Sequence, residues 1–310
     1  MIEQGLGNTD LLGIIVPFYR NLEHLVQLLE SIGNQSCDAF EVLIVDDSCD
    51  QSLKKGLGEM SQDIPYSILE NGINLGPFLS WNKGLQEMFQ RRKHCLISIV
   101  HEDDLLHRDY VKTALLYYSK YADVDVFHSK VRIIGTKSRK KFSFQDFYKG
   151  LANFGILAKP VRSIGDAGLA SVLKNNFVFC PTMIFNVKKF DALEFDTRWQ
   201  MVSDLDFISK SLLEGRNLLQ LPEKIYYYRR HNNNLTAKLT NTTKRFEEEL
   251  QLFSEIEVRC REAGFQKSAK VAKKARIIKL HIAYRMLLAL ICFDFVGIRR
   301  LMSVLLKKKN

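Results

Sequence analysis

No pair among the six cysteines, Cys37, Cys49, Cys95, Cys180, Cys260 and Cys292, has the CxxC spacing, which excludes a zinc site built on such pairs. Several lie in apolar stretches, where cysteine acts as a small buried hydrophobe, and this usage fits a reducing, cytoplasmic compartment. The opening MIEQGLGNTD lacks the basic start and apolar centre of a secretory leader. Long apolar runs are missing too. The stretch Met286–Phe293 is apolar but follows Lys279, His281 and Arg285, so it is too short to span a bilayer. Internal repeats and low-complexity tracts are absent. Acidic residues nearly vanish from the tail: Lys267–Asn310 carries twelve Lys/Arg and one acid, Asp294. With a formal charge of +10 for all 310 residues, the preceding 266 sum to −1. The basicity belongs to the tail, and a whole-surface nucleic-acid footprint is not indicated.

What is present is an ordinary globular composition, 46% apolar and 26% charged, with enough chain to bury a real core. Leu11–Val16 reads as a buried strand ended by Pro17, Phe18 and Tyr19. Asn21 is placed to cap a helix with apolar residues at Leu22, Leu25, Val26, Leu28, Leu29 and Ile32. Phe40–Val45 is a second strand, so strand, helix and strand form a βαβ unit with parallel pairing. A short strand at Tyr66–Leu69, a loop at Gly72–Gly76 and a helix over Leu79–Phe89 follow.

The next strand, Leu96–Val100, ends abruptly in His101, Glu102, Asp103 and Asp104. Carboxylates crowded at the carboxyl end of a buried strand repel one another unless they are solvated or share a cation. Asp46 and Asp47 end the second strand in the same way. Parallel strands put both groups on one rim, where open α/β sheets bind ligands, and the pattern fits a divalent metal holding a diphosphate. Read alone, the stretch also fits a strand followed by a solvated acidic turn.

Further on, Asp109–Lys120 reads as a helix and Val124–Ile134 as a strand. Phe142–Lys174 reads as short helices and loop. In Phe177–Phe185 the proline at 181 favours an edge strand or a bulge near a site. Phe207–Glu214 reads as helix, and Leu218–Leu221 and Lys224–Tyr228 as two short strands. Helices are expected over Thr243–Ala263 and Lys267–Phe293, with a basic segment at Gly297–Asn310. Lysines and arginines interleaved with large apolar residues suit an anionic membrane surface. They equally suit a helical pair packed on the body with its basic side in water.

Taken in order, IIVPFYR, EVLIVDDSCD, NGINLGPFLSWNKGL, SIVHEDDLLHRDYV, FDTRWQMVSDLDFISKSLLEG and YYYRRHNNNLT resemble the family 2 glycosyltransferases, over roughly Leu11–Thr236. The resemblance implies an α/β GT-A fold, a mostly parallel central sheet flanked by helices. The expected division is a catalytic domain over residues 1–240 and a basic amphipathic helical extension over 241–310. It also implies inverting transfer of a sugar from a nucleoside-diphosphate-sugar, UDP-sugar favoured, to a glycan or lipid-linked saccharide. Pro17, Phe18, Tyr19 and Asn74 would flank the nucleotide, with Asp47 accepting from the ring N–H of a uracil-type base. Asp103 and Asp104, with His231, would bind Mn2+ or Mg2+. His101 stands where the family commonly has an aspartate and is a further candidate ligand. Arg230 would meet the diphosphate. Asp204 would be the general base, a role compatible with helix capping, while Asp206 suits a cap or a salt bridge. Acceptor choice is expected in Phe142–Pro181 and the C-terminal helices. The implied setting is cell-envelope polysaccharide synthesis, cytoplasmic and peripheral at the inner face of the membrane. A nucleotidyltransferase would need a signature such as GGxGxR at the first strand, where PFYR stands instead. A non-catalytic carbohydrate- or nucleotide-binding module would leave the acidic clusters without a reason.

Overall fold

The computed structural model describes residues 10–50, 52–58, 64–135, 159–175, 177–230, 239 and 242–306. Its strands are β1 (Leu12–Phe18), β2 (Phe40–Asp46), β3 (Tyr66–Glu70), β4 (Leu96–Ile99), β5 (Leu105–Leu106), β6 (Val126–Ile134), β7 (Val161–Ile164), β8 (Met183–Asn186) and β9 (Asn217–Arg229). Its α-helices are α1 (Leu22–Gly33), α2 (Ser52–Leu57), α3 (Pro77–Gln90), α4 (Tyr110–Lys120), α5 (Gly165–Asn175), α6 (Ser203–Leu213), α7 (Lys244–Glu262), α8 (Gln266–Lys274), α9 (Arg276–Ile291) and α10 (Phe295–Leu306). The contacts divide these elements into two compact units that interleave along the chain. One contains the described residues up to Arg162 with Val178–Phe195 and Arg216–Arg230; the other contains Ser163–Phe177, Asp196–Gly215 and the C-terminal helices. In the second unit, α5 packs on α8 and α6 on α7, pairing residues far apart in sequence.

The first unit is a sheet in the order β3-β2-β1-β4-β8-β6-β9-β5. Its first half is the expected parallel βαβ arrangement: β1 pairs in parallel with β2 and β4, and β2 with β3. Strand alternation sends Leu12, Ile14, Val16 and Phe18 to one face, into a core shared with Leu25, Leu28 and Leu29 of α1 and Val111 and Leu115 of α4. The opposite face carries α3, where Gly84 lies against Ile15 and Val45. The apolar runs are continuous because helices cover both faces. Asn21 caps α1 through its side-chain oxygen, which accepts the His24 N–H at 3.2 Å.

Three readings change. Met183–Asn186 is a central strand, antiparallel to both β4 and β6. Pro181 stays out of the ladder because it sits in a 3-10 turn, Cys180–Thr182, just ahead of it. The two strands expected around Leu218 and Tyr226 are one, β9, whose pairing with β6 jumps from Ser129↔Leu221 to Val131↔Tyr226. Pro222–Ile225 bulge opposite Lys130, so a proline without an N–H interrupts the pattern but not the strand. The helix expected over Lys267–Phe293 is broken at Ala275, at φ 45°, into α8 and α9.

The second unit is helical. α8 packs on α7 and α5, α6 on α5 and α7, and α9 against α10.

A methyl group on Gly84 would lie 2.8 Å from Ile15 Cγ2 and 2.9 Å from Val45 Cγ2. Both neighbours are fully buried and cannot retreat. Alanine in a helix gains about 1 kcal/mol over glycine, whereas overpacking costs about 1–3 kcal/mol. Gly84→Ala should therefore lower stability by about 1 kcal/mol, read as a lower urea midpoint at unchanged slope.

Candidate active site

Parallel pairing brings the carboxyl ends of β1, β2 and β4 onto one rim. Phe18 lies beside Asp46 and Ile15 beside Ile99, so the end of β1 neighbours both acidic turns. The contact is direct: the Tyr19 N–H donates to Glu102 Oε2 at 2.7 Å, and the Asp47 N–H donates to the Phe18 carbonyl at 3.0 Å.

The two aspartates ending β2 are both buried and have different partners. Asp46 accepts from the Ser48 N–H and hydroxyl at 2.9 and 2.6 Å, an Asx-type turn that closes on itself. Asp47 reaches across to the loop before α3. It accepts from the Leu75 N–H at 2.7 Å, the Gly76 N–H at 2.9 Å and the Asn71 amide at 2.9 Å. Gly76, at φ 77°, turns that loop so both N–H groups face the carboxylate. An ionised carboxylate offers about four acceptor positions, so three are committed to holding the loop. The Asn74 amide donates to the Asp47 carbonyl at 3.3 Å. Of the first-strand residues, Phe18 is in the core, Pro17 is half-buried, and Tyr19 is exposed with Arg20 over its ring at 5.0 Å.

The turn after β4 holds the densest chemistry. Ligand atoms of His101, Asp103 and Asp104 all lie within 4.8 Å of one another. Their surroundings differ. Asp104 is 0% exposed, and its oxygens accept the Tyr226 hydroxyl at 2.7 Å and the Arg229 N–H at 2.7 Å. Arg229, 1% exposed, donates from Nε to the Asp103 carbonyl at 2.6 Å and from Nη2 to Gln27 at 2.8 Å. It thereby ties β9, the acidic turn and α1 together. Burial drives the proton affinity of Asp104 well up, against the pull of the Arg229 N–H. Burial likewise pushes Glu102 up to about 8, with the Asp103 and Asp46 charges adding to it. Burial holds His101 below the usual imidazole range, which keeps it neutral, the form that ligates metals. Its ring lies 5.3 Å from that of Trp81, and its buried Nε2 has no hydrogen-bond partner among the described residues.

Arg230 follows at the end of β9, its N–H donating to Ile134. His231 lies outside the described residues, as does most of Phe142–Lys174.

Asp204 belongs to the second unit. It sits in the first turn of α6, half-buried, and accepts the N–H of Leu205 at 2.8 Å; the cap position is Val202. Desolvation raises its pKa to about 6, with the Arg245 charge opposing and the Glu249 charge reinforcing the shift. Asp206 is 1% exposed and paired with Arg259 at 2.7 Å and Lys210 at 2.6 Å. Glu248 accepts the N–H groups of Gln200 and Met201 at 3.0 and 2.9 Å, fixing the approach to α6.

Three side chains at these positions went unassigned by sequence reasoning: Glu102, Asn71 and Arg229 as a lock on the turn. Glu102 read as the spacer between His101 and Asp103, and no local pattern announces partners 83 to 126 residues away.

The sequence comparisons point to one family, and the structural ones to one fold. The chain matches the Glycosyl transferase family 2 model over residues 13–189. A relative from Haemophilus influenzae strain Rd, described as an uncharacterized glycosyltransferase, is 38% identical over 74 residues, 24% of this chain and 24% of that protein. The match thus spans about a quarter of that relative's length. Among solved structures, Staphylococcus aureus TarS 1-349 in complex with UDP-GlcNAc superposes with a TM-score of 0.63 at 18% identity, covering 86% of this chain and 72% of that one. The mannosyltransferase PcManGT from Pyrobaculum calidifontis, in complex with GDP-Man and Mn2+, gives a TM-score of 0.57 at 14% identity, covering 96% and 86%. At such identities the two structures speak for the fold, and the expected GT-A-like α/β architecture is the one found. With more than half its residues in the family match and acidic turns on the rim of its parallel strands, the chain belongs to glycosyltransferase family 2.

Proposed function

We propose that this glycosyltransferase moves a sugar from a nucleoside-diphosphate-sugar, UDP-sugar favoured, to a hydroxyl of a glycan or lipid-linked saccharide, inverting the anomeric centre. The observation that carries the reading is the meeting of His101, Asp103 and Asp104, with ligand atoms within 4.8 Å, on the rim shared with Tyr19 and Asp47. The donor set fits a divalent cation. A neutral imidazole with an unpartnered nitrogen stands beside carboxylate oxygens, a combination suited to Mn2+ and, through the oxygens, to Mg2+. When bound, such an ion supplies Lewis-acid neutralisation of the departing diphosphate.

The chain's own residues do the rest. Asp103 and His101 would hold the cation, and Asp104, already tied to Tyr226 and Arg229, orients the turn and would offer its remaining acceptor capacity. His231 is a further ligand candidate. Arg230 meets the diphosphate. Tyr19, with Pro17 and Phe18 behind it, presents its ring to the base, and Asn74 flanks the ribose side. Asp47 accepts from the ring N–H of uracil with the position its loop leaves open, a donor–acceptor match that favours uridine. Asp204 takes the proton from the acceptor hydroxyl, and a pKa of about 6 leaves it ionised yet basic near neutrality. In this reading residues 1–240 carry donor site and base, while 241–310 brace α6 through Glu248 and Arg259 and present the basic face. The donors named for the two solved neighbours, UDP-GlcNAc and GDP-Man with Mn2+, support the donor class and the metal. The basic tail supports a place at the cytoplasmic face of the inner membrane, in the synthesis of a cell-envelope polysaccharide. No helix among the described residues is long and apolar enough to cross a membrane.

Release of nucleoside diphosphate from a panel of UDP- and GDP-sugars, with manganese or with chelator, tests the reading; no release from any donor under either condition contradicts it. Transfer should rise with pH through about 6 as Asp204 loses its proton. Asp204→Asn should remove that limb and cost about 10²–10⁴-fold in rate with donor affinity kept. Asp103 and Asp104 should separate cleanly. Asp104→Ala leaves two buried donors unpaired and should cost about 3 kcal/mol in urea denaturation. Asp103→Ala, at a half-buried position, should cost less stability than Asp104→Ala while weakening manganese binding.

A further inference from the structure

The C-terminal hairpin exposes more apolar surface than a solvated helix pair needs. Helix α9 is apolar on two faces. Ile278 and Ile282 are buried, while Leu280, Leu287, Leu290 and Ile291 on the other side are each more than half exposed. Helix α10 repeats the pattern: Leu301 and Val304 point inward, and Phe295, Met302 and Leu306, spaced seven and four residues apart, share the outward face. Between the helices stands Phe293, 78% exposed. Its φ of 55° is one that favours glycine, yet the position carries a large aromatic ring turned to the outside. Exposed apolar residues standing singly need no explanation, but a contiguous patch marks a surface that something covers.

Charge identifies the occupant. Arg276 and Lys279 share the outward side of α9 with Leu280, Leu287 and Leu290, and Arg299 lies one turn from Phe295 on α10. The sequence then continues into Lys307, Lys308 and Lys309. The one acid of the region, Asp294, accepts the Gly297 N–H at 2.8 Å at the start of α10. A second copy would bring two such basic faces together, and the like charges oppose it. An anionic bilayer meets both features. At 1.5 Å per residue, Lys279 stands about 18 Å from Ile291 along α9, whereas an interfacial helix sinks its apolar face by about 5–10 Å. Entering tip first, the pair would keep Arg276 and Lys279 at or above the phosphates with Phe293 and Phe295 immersed, and Arg299, nearer the tip, would extend its stem back to the headgroups.

We propose that the α9–α10 tip, centred on Phe293 and Phe295, inserts into the headgroup and acyl boundary of an anionic bilayer, with Arg276, Lys279 and Arg299 on the lipid phosphates. The proposal deepens the peripheral placement proposed above and rests on it; it does not rest on the identity of the donor. The test is flotation of the full chain with phosphatidylcholine vesicles, with and without phosphatidylglycerol. Binding is expected only with phosphatidylglycerol, weakening as salt rises. Phe293→Asp with Phe295→Asp, or Arg276→Glu with Lys279→Glu and Arg299→Glu, should each lower the bound fraction by about tenfold. Because those sites are exposed, an unchanged thermal transition is expected in both variants. Independently of them, Phe293→Trp should be quenched by brominated acyl chains. Failure of the wild-type chain to float, equal binding to uncharged vesicles, undiminished binding by either variant, or an unquenched tryptophan would overturn the proposal. So would light scattering that reveals a dimer split by Phe293→Asp. Diphosphate release in vesicle-free solution is read separately, so loss of membrane binding and loss of transferase chemistry are told apart.

Discussion

A carboxylate with no access to water survives in a fold only when its oxygens are paired, and Asp104 is such a group. Its partners, the Tyr226 hydroxyl and the Arg229 N–H, come from β9, more than 120 residues away. Arg229 then spends its side chain on the Asp103 carbonyl and Gln27. One buried acid therefore fixes the turn that carries His101 and Asp103, and β9 and α1 are anchored through it. Either partner removed alone would leave a buried polar group exposed to no compensating contact, the costly case.

The same arrangement eases the repulsion that three neighbouring acids would otherwise build up. Burial and mutual repulsion raise the proton affinity of Glu102 and Asp104, and Glu102 is held against the Tyr19 N–H. The turn is thus stable without demanding that every acid be charged. Asp47 serves the neighbouring strand in a related way. By accepting two backbone N–H groups and an amide, it sets the loop of Asn71–Gly76 in place. In the helical unit Glu248 does the comparable work for the approach to α6. Preorganisation of this kind is what electrostatic catalysis requires.

The legible parts of this fold were those written in local pattern. Buried runs such as Leu12–Phe18 and Phe40–Asp46, joined by a helix capped at Asn21, announce parallel pairing, and the acids after them announce the rim. What stayed hidden depends on long-range pairing. Pro181 suggested an edge because a proline lacks a ladder donor, but it stands one turn before the central strand β8. The bulge at Pro222–Ile225 made one strand read as two. Ala275, in a left-handed conformation that local propensity disfavours, divides an apparently continuous helix. Asp103 and Asp104 look alike in sequence. The Tyr226 and Arg229 contacts that hold Asp104 come from more than 120 residues away, and no spacing rule links residues that distant.

The most direct measurement is a crystal structure with UDP and Mn2+ bound, read by the anomalous signal of manganese. The expected result is a manganese peak at the Asp103 carboxylate and the His101 ring, with uracil against Tyr19. A well-ordered nucleotide bound without that peak, or a peak away from the turn after β4, would contradict the account.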